Sequence, residues 1–240
     1  MVSYAEFAGF YDQIMGDRSQ DVERVRGYVE RFAPSASTLL ELGCGTGAML
    51  AGLAKDLTVT GVDRSPEMLA RAAANVPGAR LVEADMTSFS LGTRFDVVIC
   101  VFDTLNHLAS FGSWLDLFER AHEHLADDGI FVFDVNTTGR LRRLWYGPAF
   151  AEEFGPHTVV MDVTPAGGDL SWWQVRIFER IGDDLFRLHE ETIPELGVPL
   201  EQIRAALAPR FDVLHEADLD GGKVSDESAR VYFACRRRPG

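Results

Sequence analysis

The sequence predicts a doubly wound α/β fold, in which helices cover both faces of a mostly parallel sheet and an antiparallel β insertion follows. Short apolar segments alternate with helical patterns between residues 20 and 135, and this alternation is typical of a parallel sheet. Several of the segments are almost continuously apolar, as expected for strands that are covered on both faces. After residue 139 the pattern changes to longer segments joined by Gly- and Asp-rich turns, which predicts antiparallel hairpins.

The parallel part of the sheet is predicted element by element. Val22, Val25, Val29 and Phe32 form one helical stripe. Ser65 followed by a proline is an N-cap signal for another helix. We expect helices at residues 21–32, 48–54, 66–75 and 114–125, and strands at residues 38–42, 57–62, 81–83, 95–101 and 130–135.

The remaining elements define the predicted organisation of the chain. Residues 157–164, 170–181 and 185–193 are expected to be antiparallel strands, and residues 199–207 a helix before two closing strands at 211–219 and 229–236. We therefore divide the chain into N-terminal cap helices with an α/β core (1–139), an antiparallel insertion (140–196) and the final helix and strands of the core (197–240).

Composition and charge exclude several classes of protein. The 240 residues are 46% hydrophobic and 25% charged, with a net charge of −14. Such a surface repels nucleic acid at long range. The three cysteines are far apart, which argues against a disulfide framework or a zinc knuckle. With no basic leader and no apolar run of about 18 residues, we expect a cytoplasmic protein that spans no membrane.

A glycine-rich loop follows the first predicted strand and opens a helix. Gly43, Gly45 and Gly47 alternate with other residues, and glycines there permit a tight turn and a close approach of ligand to backbone. The N–H groups of such a loop lie at a helix N-terminus. The position predicts a nucleotide-type ligand at the carboxyl end of the strand, with a merely structural turn as the alternative.

Acidic residues follow the next two strands. Asp63 ends the second strand, where a carboxylate can accept both ribose hydroxyls. Asp85 follows the third strand, where it can accept an exocyclic adenine N–H beside the backbone of Met86. Each acid alone has a structural explanation, but three such sites at successive strand ends favour a bound nucleoside.

NAD is a competing ligand, because Gly43, Gly45 and Ala48 satisfy the dinucleotide fingerprint. Two features argue against an NAD-dependent oxidoreductase. Glu41 precedes the glycines, near the place of a pyrophosphate, and suits a ligand with a positive group instead. In addition, the residues four positions before the two lysines are Ala51 and Leu219, so no Tyr-x-x-x-Lys pair exists.

The motifs ELGCGTG (41–47), GVDRS (61–65), EADM (83–86) and FDVVIC (95–100) resemble those of the class I S-adenosylmethionine-dependent methyltransferases, which have a Rossmann-like fold. The resemblance implies that Glu41 and the glycine loop hold the methionine part, Asp63 the ribose, and Asp85 with Met86 the adenine. The predicted cofactor-binding residues are Tyr11, Glu41, Gly43, Cys44, Gly45, Gly47, Asp63, Arg64, Asp85, Met86 and Phe102.

Two further stretches, YAEFAGFYDQIM (4–15) and CVFDTLNHL (100–108), resemble bacterial small-molecule methyltransferases, including N-methyltransferases of amino sugars. In that group, N-terminal tyrosines close over the cofactor, residues after the fourth strand face the transferred methyl, and an antiparallel insertion covers the substrate as a lid. In this sequence the residues after the fourth strand are Phe102, Asp103, Asn106 and His107, and His107 and Asp103 are the candidate catalytic residues. The residues expected to bind the substrate are Tyr4, Asn106, Trp145 and Trp173.

The predicted activity is methyl transfer to a small molecule, with an amine nitrogen favoured over a hydroxyl. His107 is the candidate base, because its ordinary pKa suits neutral pH, and Asp103 could orient it or bind an ammonium group. No constellation typical of a metal site is found in the sequence, so we predict metal independence. Two other functions stay open, an NAD-dependent oxidoreductase and a binding protein without catalysis. A homodimer also stays open as the oligomeric state.

Overall fold

The computed structural model describes the backbone of residues 7–239 and the side chains of residues 8–239. Tyr4, predicted to bind the substrate, lies outside the described residues. A short 3₁₀ helix, Phe7–Gly9, precedes helices α1 (Tyr11–Met15) and α2 (Ser19–Phe32). The buried side chains of α2 are Val22, Val25 and Tyr28.

The core is a seven-stranded sheet. Its strands are β1 (Thr38–Leu42), β2 (Thr58–Asp63), β3 (Arg80–Glu83), β4 (Phe95–Cys100), β5 (Leu125–Asn136), β10 (Phe211–Asp218) and β11 (Arg230–Arg237). The order is β10-β11-β5-β4-β1-β2-β3. Strands β1 to β5 are parallel to their neighbours, whereas β11 pairs antiparallel with β5 and β10. The first half of the chain therefore places four strand ends at one edge.

Helices cover both faces of the sheet, namely α3 (Ala48–Leu53), α4 (Pro66–Asn75), α5 (Phe111–His124) and α7 (Leu200–Leu207), together with α2. Helix α4 begins as predicted, because the Ser65 side chain accepts the N–H of Met68 and a proline occupies the first turn. Two apolar clusters fill the two faces: one packs α5 and α7 against the sheet, and the other packs α2 and α3.

A second sheet follows β5. Helix α6 (Thr138–Leu144) leads into the antiparallel strands β6 (Phe150–Phe154), β7 (His157–Gly167), β8 (Leu170–Arg180) and β9 (Phe186–Leu196). We call this four-stranded sheet the lid. Its inner face holds a small apolar cluster, to which Phe10, Tyr11 and Ile14 of the N-terminal segment also contribute.

The predicted fold class is confirmed, and the differences are local. Helix α6 and strand β6 are not predicted, because α6 is short and β6 is exposed at four of its five positions, so neither has a clear periodic apolar pattern. Strand β5 begins at Leu125 rather than at residue 130, because Leu125 pairs with Phe95 of β4 before a register shift leads to the pair of Val97 and Ile130. Among the described residues, no helix has the length and apolar character needed to cross a membrane.

Candidate active site

A cavity opens at the carboxyl ends of β1 to β4, where parallel strands bring their following loops together. Its empty space is about 760 Å³, part of which is open solvent. The lining residues are Tyr11, Gly43, Gly45, Asp63, Arg64, Met68, Ala84, Asp85, Met86, Phe102, Thr104, His107 and Leu108.

The glycine loop forms one wall of the cavity, and its backbone explains the residue type. Gly43, Gly45 and Gly47 have φ angles of +69°, +52° and +77°, which side chains rarely tolerate. A Cβ on Gly43 would lie 2.4 Å from the Cγ2 of Thr104, and one on Gly47 would lie 3.1 Å from the Cβ of Ala72 in α4. Gly43 and Gly45 therefore line the cavity, whereas Gly47 packs the loop against α4.

The loop does not offer the set of free N–H groups that its sequence predicts. Gly43 and Cys44 both donate their N–H to the carbonyl of Val62, at 2.8 and 3.0 Å, and Gly47 donates to the carbonyl of Cys44. The Cys44 side chain, predicted to contact the cofactor, is 5% exposed and packs in the apolar core. The loop thus lets a ligand approach its backbone closely, but it does not offer a set of free N–H groups to bind a phosphate.

Glu41 lies in β1 immediately before this loop and is 3% exposed. Its Oε2 is buried without a hydrogen-bond partner among the described residues. Burial, and then the negative charge of Asp63, raise the pKa of Glu41 well above its ordinary value. A buried carboxyl oxygen without a donor favours a ligand that brings a positive N–H group.

The acids of the next two strand ends also lie at the cavity. Asp63 accepts the N–H of Gly45 at 2.8 Å and that of Ser65 at 2.9 Å. Each carboxylate oxygen retains a second lone pair for a ligand hydroxyl. Asp85 forms a turn in which its Oδ1 accepts hydrogen bonds from the backbone N–H and the hydroxyl of Thr87. Its Oδ2 takes no part in these two hydrogen bonds.

The chain makes a strained turn after β4. Phe102 and Asp103 have φ angles of +63° and +48°, and two successive non-glycine residues in this region are rare and concentrate at functional sites. The guanidinium of Arg18 lies 4.1 Å above the Phe102 ring. The backbone N–H of Asp103 donates to Asp134 Oδ2 at 3.3 Å. These contacts hold the turn against the cavity.

A buried polar network backs this turn. Arg230 of β11 binds Asp103 at 2.5 Å and Asp134 at 3.0 Å. The Nδ2 of Asn136 donates to both Asp103 and Glu195, at 3.0 Å each. Burial, the largest single effect, would raise the pKa of Asp103, but neighbouring groups, Arg230 first among them, together outweigh it and hold that pKa below its ordinary value. Burial, followed by the charge of Asp103, raises the pKa of Glu195 well above its ordinary range.

His107 lies between the cavity and the network. Its Nε2 is 3.8 Å from Glu195 Oε1 and 4.0 Å from Asp103 Oδ2. Burial lowers the pKa of His107 below its ordinary value. The charges of Arg64 and Arg230 act in the same direction, although Asp103 opposes them. The imidazole is therefore neutral at pH 7 and able to accept a proton.

Helix α1 closes one side of the cavity. The Thr46 hydroxyl of the glycine loop donates to Asp12 Oδ1 at 2.5 Å, which fixes α1 to the loop. Tyr11 lines the cavity and also packs with the lid cluster, and burial raises its pKa to about 12. The Phe10 ring lies 6.0 Å from Phe154 of the lid. The N-terminal segment thus touches both the core loop and the lid.

Comparison with known proteins identifies the family. A profile described as a methyltransferase domain matches residues 39–129, which include the glycine loop, β2, β3 and β4. Residues 39–129 are therefore a methyltransferase domain. A relative from Streptomyces fradiae, dTDP-3-amino-3,6-dideoxy-alpha-D-glucopyranose N,N-dimethyltransferase, is 35% identical over 168 residues. That match covers 68% of this chain and 61% of the relative, so it spans less than two thirds of that enzyme's length.

Solved methyltransferases share the whole fold, including the lid. The sugar N-methyltransferase KedS8 from Streptoalloteichus sp. is 26% identical, with a TM-score of 0.81 over 97% of this chain and 93% of that one. An S-adenosylmethionine-dependent methyltransferase from Clostridium acetobutylicum, 22% identical, has a TM-score of 0.87 over 98% and 99% of the two chains. The second likeness supports the fold alone.

The residues of the methyltransferase cavity fit S-adenosylmethionine. The orphaned oxygen of buried Glu41 suits the ammonium of the methionine part, and Gly43 and Gly45 line the cavity with no side chain between the backbone and a ligand. Asp63 and Asp85 offer acceptor oxygens for hydroxyl and amino groups. When bound, this group supplies an electrophilic methyl on a sulfonium.

The structure corrects the prediction that Asn106 faces the transferred methyl. Asn106 is fully buried, and its Nδ2 donates to the carbonyls of Asn136 and Leu196, at 2.9 Å each. Its Oδ1 accepts the N–H of Asn136. The side chain is occupied by backbone groups, so Asn106 joins β5 to the end of β9 and does not reach the cavity.

The two predicted tryptophans lie on the lid side of the molecule. Trp145 follows α6 and donates its Nε1 to the Ser171 hydroxyl at 2.7 Å. Trp173 packs on the inner face of the lid, whereas Trp172 faces outward and is 38% exposed. The Nε1 of Trp173 is buried without a hydrogen-bond partner among the described residues.

Several residues of the site are absent from the sequence prediction, namely Asp134, Asn136, Glu195 and Arg230. Asp134 and Asn136 interrupt an otherwise apolar strand, and polar residues there are a signal of a buried site. Glu195 and Arg230 have no comparable signal, since they lie far along the chain from the motifs.

Proposed function

We propose that this methyltransferase methylates an amine nitrogen of a small molecule. The observation that carries the proposal is the wall after β4, where the neutral His107 lies in the cavity with two carboxyl groups behind it. A nitrogen that receives a methyl becomes cationic, and adjacent carboxyl groups stabilise such a charge. The N,N-dimethyltransferase and sugar N-methyltransferase relatives support the same acceptor class.

The chain contributes mainly alignment and the exclusion of water. Tyr11 and Phe102 close the cavity around the reacting atoms. Protonated amines are not nucleophiles, so a proton must first leave the nitrogen, and the Nε2 of His107 is the acceptor we assign. Trp173 and Trp145 are proposed to line the acceptor side beneath the lid, with Tyr4 from the N-terminal segment.

O-methylation is the second candidate function. A hydroxyl acceptor has a very high pKa and needs a base in the transition state. The neutral His107 could serve as that base. The acidic network favours nitrogen, because an ionising hydroxyl would place a second negative charge beside Asp103.

The release of adenosylhomocysteine from S-adenosylmethionine, measured against a panel of acceptors, tests the function. The panel contains amino sugars, primary and secondary amines, phenols and sugar hydroxyls, and the products are weighed. We expect turnover of an amine that persists in EDTA, since we predict that no metal is needed. Turnover of hydroxyls alone would replace the proposal by O-methylation.

His107→Gln separates the two candidates further. For an amine acceptor, the loss of rate should be largest at low pH, where the amine is protonated, and should shrink as pH rises and solvent removes the proton. For a hydroxyl acceptor the loss should be about 10²–10⁴-fold at every pH. The matched control is His122→Gln on the outer side of α5, which contacts the Arg238 carbonyl far from the cavity.

A further inference from the structure

The last residues of the lid enter the core at the candidate site. Glu195 is the second-last residue of β9 and is 3% exposed. Its Oε2 accepts Asn136 Nδ2, and the next residue, Leu196, accepts Asn106 Nδ2. Glu195 is therefore a lid residue that is fixed among core residues.

Glu195 and Asp103 form a pair of carboxyl groups. One amide nitrogen, Nδ2 of Asn136, donates to an oxygen of each, at 3.0 Å, and so holds the two carboxyl groups next to each other. Two buried carboxyl groups this close cannot both ionise readily, so one of them keeps a proton. Glu195 holds that proton, because Arg230 keeps Asp103 ionised.

The guanidinium of Arg230 does not by itself balance the charge around this pair, and Arg140 acts on Asp103 only more weakly. Three carboxyl groups, those of Asp103, Asp134 and Glu195, adjoin one guanidinium, Arg230. Burial raises the pKa of Asp134 to about 6, so it is ionised at neutral pH. With one proton on Glu195, the group keeps one net negative charge, and a buried charge without a counterion is unfavourable.

Two buried acceptor atoms of the network have no hydrogen-bond partner among the described residues. They are the Oδ1 of Asn136 and the Oδ1 of Asp134, in residues that are 1% and 0% exposed. Both lack a donor, and a donor with several N–H groups and a positive charge would satisfy them. His107, which lines the cavity, lies within 4.0 Å of the carboxyl groups of Asp103 and Glu195 and so connects the network to the cavity wall.

A metal ion is the other cation to consider. Ligand atoms of Asp103, His107 and Glu195 lie within 4.8 Å of one another. However, the guanidinium of Arg230 already occupies Asp103 at 2.5 Å, and Asn136 directs an N–H at each carboxyl group. These donors already use carboxylate lone pairs that would have to ligate a metal, whereas an ammonium donates hydrogen bonds to the lone pairs that remain and is the better match.

We propose that Asp103 and Glu195 form the subsite for the acceptor's ammonium group, and that Glu195 loses its proton when this cation arrives. The inference rests on the proposed N-methylation and names its acceptor class, amines that are protonated at neutral pH. The O–H bond of Glu195 breaks, its electron pair stays on the carboxylate oxygen, and the proton passes to water. The nitrogen then faces two carboxylates, and only a docked lid supplies the second one.

Methylammonium chloride is the probe for this subsite, and methanol is its neutral counterpart. Protein labelled with ¹³C at the Asp and Glu carboxyl carbons is saturated with adenosylhomocysteine and titrated with each. We expect saturable changes at two carboxyl signals with methylammonium only, one of them moving from the protonated to the ionised position. Glu195→Gln identifies this signal by removing it.

The same variant measures the contribution of the lid carboxyl. Gln retains the hydrogen bonds of the protonated glutamic acid but cannot ionise, so the dissociation constant for methylammonium should rise about tenfold or more. The matched control is Glu190→Gln in the same strand, whose carboxylate pairs with Arg176 on the outer face of the lid. It should leave the affinity unchanged.

The outcomes are distinct. No saturable change in the wild-type spectrum, equal affinity in Glu195→Gln, or stoichiometric Mn²⁺ binding that broadens the same two signals would overturn the proposal. Failure of the proposed function is recognised separately, because the acceptor panel would then show turnover of hydroxyls alone or no turnover of any acceptor. The methylammonium titration is run on the ligand-free chain as well, so that its result does not depend on the cofactor.

Discussion

Glu41 and Glu195 each occupy the second-last position of a strand, and both are buried carboxyl groups with raised pKa values. Their burial disfavours the ionised form in the ligand-free protein, since removal from water costs a charge its hydration. A positive ligand group offsets this cost in each case. Both residues therefore lower the stability of the fold at neutral pH and favour a ligand.

Glu41→Gln should stabilise the ligand-free protein and weaken the cofactor complex. The folded-state pKa of Glu41 is raised above 4.5, so its contribution to stability is lost as pH rises above this value. The advantage of Gln should grow with pH, each kcal/mol appearing as about 2–4 °C in Tm. Scanning calorimetry from pH 5 to 8 checks this, while the affinity for adenosylhomocysteine should fall about tenfold or more.

The control for this variant is Glu83→Gln, which changes an exposed residue at the end of the neighbouring strand β3. It should alter neither the melting temperature nor the affinity. If Glu41→Gln melts at a lower temperature than the wild type at pH 8, the carboxyl group is stabilised by the fold itself and the assignment to a ligand ammonium fails.

Site residues could be predicted from the sequence where they directly follow a predicted parallel strand. Asp63 and Asp85 follow β2 and β3, and parallel strands bring such positions to one edge, so their place in the cavity was predicted from spacing. Arg230 contacts Asp103 across 127 positions. No local pattern encodes that pairing, because it depends on β11 lying beside β5 in the finished sheet.

The glycine loop and α4 act as one structural element, with Gly47 at their contact. Gly47→Ala combines a φ angle of +77° with a Cβ placed 3.1 Å from Ala72 and Val76. We expect a loss of about 2–4 kcal/mol in the free energy of unfolding, from backbone strain and overpacking together. Urea denaturation measures it.

Gly92→Ala is the matched control, because Gly92 has a φ angle of +65° but no atom within 4 Å of its Cβ position. It should cost only the backbone strain, about 1–2 kcal/mol. Equal losses in the two variants would show that the contact with α4 contributes nothing, contrary to the packing described.

The lid is joined to the core by Asn106, whose side chain makes three buried hydrogen bonds to backbone groups. Asn106→Ala leaves those groups without partners and should cost about 2–4 kcal/mol. It should also increase hydrogen exchange at the end of β9, measured by mass spectrometry. Asn75→Ala, an exposed residue that donates to the Thr46 carbonyl, should cost less than half as much and leave β9 protected.

At the scale of helices and strands, the apolar pattern of the sequence predicted the elements that bury an apolar face. The parallel strands and α4 follow from continuous apolar runs and an N-cap. Helix α6 and β6 did not follow, because their positions are set by contacts between the lid and the core. An example is the N–H of Gly139 in α6, which donates to the carbonyl of Asp226 at 2.9 Å.

At the scale of the whole molecule, three parts of the chain meet at one cavity. The core supplies the glycine loop and the strand-end acids, α1 is fixed to that loop through Asp12 and Thr46, and β9 brings Glu195 to the turn after β4. The proposed methyl transfer therefore involves the lid and the cap as well as the motifs of the core.

The most direct test is a competition between two acceptors in one reaction. The acceptor that turns over in the panel is mixed with an equal amount of its counterpart, in which amine and hydroxyl are exchanged, and S-adenosylmethionine carrying a deuterated methyl is added. The masses of both products are then measured. Label on the amine, with the hydroxyl counterpart unlabelled, is the result that the account predicts. Label on the hydroxyl would contradict both the proposed nitrogen acceptor and the ammonium subsite at Asp103 and Glu195.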